Sequence, residues 1–164
     1  MKKSLSVILA MILVLSFAFF AIASSSDGEE TTQAAGDAQA AGKDSNVGSY
    51  SVDIKSARLS KNWEGKESVV ITYGFTNNSD ESSSFDIAFS DNAYQNGVGL
   101  ERTYTLQDGD PYDEANQSKK IKTGATLDVE VAYILNDTET DVDVEVEEWL
   151  GLSDDKVSRT FSIK

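Results

Sequence analysis

After residue 49 apolar and polar side chains alternate along most of the chain, the period-2 signature of strands with one buried face. Tyr50, Val52 and Ile54 alternate with Ser51, Asp53 and Lys55. Residues 69–76 are dense in β-branched and aromatic side chains, and Phe85, Ile87 and Phe89 alternate with small or polar partners. A strand is predicted over residues 94–106, broken by Gly97 and Gly99 at a turn or bulge. Leu127, Val129, Val131, Tyr133 and Leu135 form one face of another strand. Val142, Val144 and Val146 alternate with Asp141, Asp143, Glu145 and Glu147, and Val157, Phe161 and Ile163 mark a last, weaker strand. Turn-forming clusters at residues 62–65, 77–84, 108–116, 123–124, 136–140 and 151–155 separate these runs. No sustained 3.6-residue period occurs outside the first 23 residues. Seven or eight short strands predict an all-β, two-sheet antiparallel sandwich, with a closed barrel as the alternative. The 141–147 strand reads as an edge, or as a strand with a solvated face, because a row of carboxylates discourages further pairing.

The N-terminus follows different rules. Lys2 and Lys3 precede residues 5–22, which are apolar except for Ser6 and Ser16. Ala21 and Ala23 place small residues before Ser24, so residues 1–23 read as a secretory signal peptide cleaved between Ala23 and Ser24. An uncleaved membrane anchor is the rival reading, since the apolar run approaches the length of a bilayer span. Residues 24–49 are dominated by Ser, Gly, Ala, Thr and acidic side chains, with Val47 the only larger apolar residue. Such a segment buries too little apolar surface to offset its ordering entropy, and is expected to be a disordered linker. The organisation predicted is signal peptide 1–23, linker 24–49 and a folded domain over residues 50–164.

Composition narrows the chemistry. The 164 residues contain neither His nor Cys, which removes Ser-His-Asp triads, Cys nucleophiles, thiolate or imidazole metal sites and disulfides. The formal charge is −14, which argues against nucleic acid as a partner. Without residues 1–23, 12 basic residues face 28 acidic ones, a charge of −16; residues 50–164 hold 11 and 23 of these, a charge of −12. Three Asn-x-Ser/Thr sequons, at Asn77, Asn116 and Asn136, read as chance in so Asn- and Ser-rich a chain.

Three segments carry a family resemblance: residues 69–79 (Val-Val-Ile-Thr-Tyr-Gly-Phe-Thr-Asn-Asn-Ser), residues 93–101, which include Tyr94-Gln95-Asn96-Gly97, and residues 124–133. Together they resemble an uncharacterised domain family of exported proteins and lipoproteins from Gram-positive bacteria, similar to telokin-like, immunoglobulin-fold secreted antigens. The resemblance implies an immunoglobulin-like β-sandwich on an exported, often surface-tethered protein, and implies no activity. Many such relatives carry a lipid-modified Cys where this chain has Ser24, so lipid anchoring is not expected here.

Few candidate sites remain. Asp108, Asp110, Asp113 and Glu114 crowd one Gly- and Pro-containing loop and are weak candidates for calcium, although their spacing does not match an EF-hand. Asp141, Asp143, Glu145 and Glu147 read first as a solvated strand face. Trp63, Tyr94, Tyr104, Tyr112 and Trp149 lie at turns and strand ends, where exposed rings stack on sugars or anchor protein interfaces. For each Trp, packing in the core is the expected alternative and the favoured one. The expectation is a non-enzymatic, secreted or cell-surface module without a cofactor. Its partner would be an extracellular protein, or, as the second reading, a neutral cell-wall glycan.

Overall fold

The computed structural model describes residues 46–151 and 155–164, so the expected signal peptide and most of the expected linker lie outside the described residues. Among the described residues, nine strands form two antiparallel sheets. The first sheet has the order β1-β2-β3-β7-β6: β1 (Asn46–Val47), β2 (Tyr50–Lys61), β3 (Glu67–Asn77), β7 (Thr126–Ile134) and β6 (Glu101–Thr103). The second has the order β5-β4-β8-β9: β5 (Val98–Gly99), β4 (Phe89–Gln95), β8 (Val142–Glu148) and β9 (Lys156–Phe161). Among the described residues the only helical pieces are α1 (Phe85–Ala88) and a 3-10 turn (Glu114–Gln117).

The alternation seen in the sequence sorts side chains between the sheets. Val69, Ile71, Tyr73 and Phe75 of β3 and Val142, Val144 and Val146 of β8 point into one shared core and are wholly buried. Phe75, Phe85 and Phe89 pack edge to face with centroids 5.4–6.2 Å apart. Val70 faces outward from the first sheet yet is fully buried, because Leu106 and Tyr112 of the 104–117 segment fold over it together with Ala132.

Several expectations are corrected. The end of the segment assigned to the linker is part of the first sheet: Val47 pairs with Tyr50 and is fully buried, which a lone large apolar residue achieves by adding a short edge strand. Residues 85–88 are a helical turn, not strand, and the i,i+3 spacing puts Phe85 and Ala88 on the buried side while Ile87 faces solvent. The single strand predicted over residues 94–106 is three elements. Asn96 (φ 52°) and Gly97 (φ 75°) make the hairpin turn between β4 and β5, where positive φ is needed at both central positions. The chain then crosses to the other sheet at Leu100 to form β6. The acidic strand β8 is not an edge: it sits between β4 and β9, with its carboxylates on the outer face.

The two sheets are joined at both sides. At β4 and β6, the Arg102 guanidinium and the Tyr133 hydroxyl both donate to the Asp91 carboxylate, whose side chain is only 4% exposed. At β2 and β9, Arg159 Nη1 donates to the carbonyls of Ile54 and Lys55 at 2.7 and 2.8 Å, where a bulge breaks the β2–β3 register. The same guanidinium lies 4.8 Å from the Phe161 ring.

Candidate functional site

The three segments of family resemblance turn out to hold the molecule's polar staples. Gln95, only 1% exposed, donates from Nε2 to the carbonyls of Asp137 and Thr140, and its Oε1 accepts from the backbone N–H groups of Asn136 and Asp137. One side chain thereby fixes the whole β7–β8 loop. Asn77, fully buried, donates to the carbonyls of Glu81 and Ile121 and accepts from Ser79, while Gly124 (φ 78°) donates its N–H to the Asn77 carbonyl at 2.7 Å. A buried amide with every valence used leaves no attachment point for a glycan, in line with the chance reading of that sequon. On the outer face of the first sheet, Lys55 crosses over Gly74 to reach Asp128 at 2.5 Å, and a Cβ on Gly74 would meet Lys55 Cε at 2.7 Å.

Burial tunes the inter-sheet network. Desolvation pushes the Tyr133 and Tyr73 hydroxyls well above their usual ionisation range, and the nearby Asp91 carboxylate adds to this. Burial works against the Arg102 charge, but Asp91 and Tyr133 more than offset it and hold the guanidinium protonated. Tyr73 Oη sits close enough to Tyr133 to influence its ionisation, yet it has no hydrogen-bond partner among the described residues. Asp91, Arg102 Nη2 and the Tyr133 hydroxyl are thus occupied with contact between the sheets.

What remains for recognition lies at the tips. At one tip, Trp63 is 68% and Tyr104 54% exposed. Their segments are locked together: Trp63 N–H donates to the Thr105 carbonyl at 3.1 Å, Asn62 bridges Leu106, and Asn62 Oδ1 caps the turn by accepting from Glu64 and Lys66 N–H. Lys66 also begins the wall of an adjoining hollow of about 640 Å³ that runs to the Gln95-stapled loop, residues 134–140. The side-chain hydrogen bond between Glu64 and Lys66 lowers the first group's pKa and raises the second's, so both stay charged beside the tryptophan. Neither Trp is a core residue, contrary to expectation: Trp63 sits in a tight turn and Trp149, 61% exposed, lies just past the end of β8.

The other sequence candidates separate. Tyr94 is half-buried on the outer face of the second sheet, opposite Gly99 and Asp143. Tyr112 is half-buried against Val70 and its hydroxyl accepts from Gln117 Nε2, which makes it a packing residue. In the acidic loop, Asp110 is spent on Arg58 (2.7 Å) and Ser60, and the Pro111 carbonyl accepts from Arg58. Asp108, Asp113 and Glu114 are exposed, and among the described residues no three carboxylates gather as they would around a cation. The loop's role in the fold is to pin the 104–117 segment over β2. Sequence reasoning missed Ile87 and Leu150, both exposed, the second to 83%. It also missed the Asp91–Arg102 pair, which joins strands of different sheets and leaves no local pattern in the sequence.

One family model, described as a domain of unknown function (DUF5067), matches residues 24–148. The match ends at the close of β8, one strand short of the complete second sheet. No curated protein and no solved structure matches the chain. Among the described residues, no helix is long and apolar enough to cross a membrane.

Proposed function

The chain belongs to the DUF5067 family, a domain of unknown function, and on that footing we propose that it is an exported, non-enzymatic, immunoglobulin-like module that engages an extracellular protein through the Trp63–Tyr104 tip. The observation that carries this reading is the tip itself. Two large aromatic side chains stand in solvent on backbone that is already fixed by the Asn62–Leu106 bridge, the Trp63–Thr105 hydrogen bond and the Asn62 side chain. Exposed Trp and Tyr on rigid turns supply contact area at little ordering cost, which is the profile of interface anchors. The absence of His and Cys supports a non-catalytic role. Residues 1–23 support export, with cleavage at Ser24 or retention as an anchor. Mass spectrometry of the mature N-terminus separates these, because cleavage gives a chain beginning at Ser24.

The test of the interface is cross-linking in culture medium and cell envelope, comparing the wild-type chain with Trp63→Ala/Tyr104→Ala. The reading expects a specific protein adduct that the double variant loses while its melting temperature holds. An adduct that persists unchanged in the double variant refutes it. A neutral glycan is the second reading, favoured by the exposure of Trp63, which would otherwise cost apolar hydration for no return. The domain's charge of −12 confines that reading to uncharged sugars. Glycan-array signal that depends on Trp63, with no protein adduct, would select it.

A further inference from the structure

The Trp63–Tyr104 tip is continuous with the hollow beside it. Lys66 links the two: its N–H donates to Asn62 Oδ1 at 2.9 Å, in the turn that carries Trp63, and its side chain forms part of the hollow's wall. Leu135 N–H donates to the Glu67 carbonyl at 2.9 Å, which sets the start of the 135–141 loop against the start of β3. The four bonds of Gln95, and one of 3.2 Å from Asn96 Nδ2 to Thr140 Oγ1, hold that loop. The wall is therefore formed before any partner arrives, which lowers the ordering cost of binding.

The charge of this surface is one-sided. Lys61 and Lys66 are each paired, with Glu67 and Glu64 respectively. Glu101 lies opposite Ile134 of the wall in the β6–β7 ladder; it and Glu139 of the loop are exposed and in no ion pair among the described residues. Asp137, in the same wall, accepts from the N–H groups of Glu139 and Thr140 at 2.9 and 2.7 Å. Those bonds hold its pKa below the usual range, with Lys164 adding a smaller share. Arg102, beside Glu101, is spent on Asp91, and Arg58 on Asp110. With Asp108 and Asp141 in the flanking segments, seven carboxylates stand against Lys61, Lys66 and Lys164, a net charge of −4. The opposite end of the sandwich exposes Trp149, but there Lys119, Lys120 and Lys122 are exposed among the acids and oppose a cation.

On the footing of the Trp63–Tyr104 reading, we propose that the protein partner presents a segment rich in arginine and lysine, which lies along the hollow with one cation over the Trp63 ring and others against Glu101 and Glu139. Tryptophan is the ring that attracts cations most strongly, and arginine is its commonest partner. Carboxylates without partners on a preformed surface receive such a segment without first giving up an ion pair.

The Trp149→Phe form of the full chain, which keeps Trp63 as its only tryptophan, tests this by titration with an oligo-arginine peptide and with a glycine-serine peptide of equal length. The expected result is a saturable change in Trp63 emission with the first and none with the second, abolished at about 0.5 M NaCl, where the Debye length is roughly 4 Å. Glu101→Gln and Glu139→Gln each weaken binding about two- to five-fold, the range of an exposed ion pair. Glu81→Gln/Glu147→Gln removes as much charge away from this tip and leaves the affinity nearly unchanged. Emission indifferent to oligo-arginine overturns the proposal, as does equal weakening by the two pairs of substitutions, which traces binding to the domain's overall charge. Cross-linking separates this proposal from the reading beneath it. An adduct that needs Trp63 and Tyr104 but ignores salt, Glu101→Gln and Glu139→Gln upholds the tip and overturns the cationic segment.

Discussion

Gln95 holds a loop that has no ladder of its own, since its four hydrogen bonds satisfy that loop's backbone groups. Gln95→Ala leaves those groups unpaired and is expected to cost about 2–4 kcal/mol in urea unfolding, with faster proteolysis inside residues 135–141. Arg102→Met removes the cation that offsets a nearly buried Asp91, at a cost of about 3 kcal/mol, whereas a cycle that also replaces Asp91 with Leu recovers much of the loss. Tyr133→Phe removes a donor to the same carboxylate and costs about 1–3 kcal/mol, while Tyr73→Phe removes a hydroxyl without a partner and is close to neutral. Trp63→Phe and Trp149→Phe stay within about 0.5 kcal/mol of wild type, because neither ring is buried. Acrylamide quenching of both tryptophans near the level of the free amino acid checks the same point.

Elements were legible where one face is wet. The alternation in β2, β7 and β8 reads directly, since burial on one side and solvent on the other impose period 2. Legibility fails where burial comes from a loop. Val70 and Ala132 face away from the core yet are covered by Leu106 and Tyr112, and no local pattern encodes that cover. The Phe85–Ala88 turn was misread because Phe85, Ile87 and Phe89 satisfy period 2 while Phe85 and Ala88 also satisfy i,i+3, and only tertiary packing chooses. The site was legible in its residue types and not in their places: Trp63 and Tyr104 were candidates, but their locking through Asn62 and Leu106 joins segments about 40 residues apart. At this scale the 135–141 loop is pH-sensitive. Hydrogen bonds from Glu139 and Thr140 N–H lower the Asp137 pKa, so its contribution is present above the unfolded value near 4 and is lost as pH falls through the folded one. Amide exchange at Glu139 and Thr140 is predicted to accelerate below about pH 4, and in Asp137→Asn to be fast already at neutral pH.

For the whole molecule, Tyr73 and Tyr133 set the alkaline limit. Below about pH 10 both are neutral in folded and unfolded chains and cost nothing. Above it the unfolded chain releases protons that the folded chain retains, so stability falls by about 1.4 kcal/mol per pH unit for each tyrosine, and Tyr73→Phe removes one share of that slope. The acidity read first as a global property resolves into parts: an outer row on β8, a loop carboxylate pinning Arg58, and an inter-sheet pair at Asp91. The family-resembling segments hold the uncharged staples Asn77 and Gln95, and the exposed aromatics lie outside those segments except for half-buried Tyr94. The central claim is therefore a division between scaffold and tip. Its most direct measurement sets partner cross-linking against melting temperature in two variants, Trp63→Ala/Tyr104→Ala and Gln95→Ala. The division predicts that the first loses the adduct at an unchanged melting temperature, while the second melts several degrees lower yet still forms the adduct below its transition. An adduct untouched by loss of Trp63 and Tyr104 would contradict it.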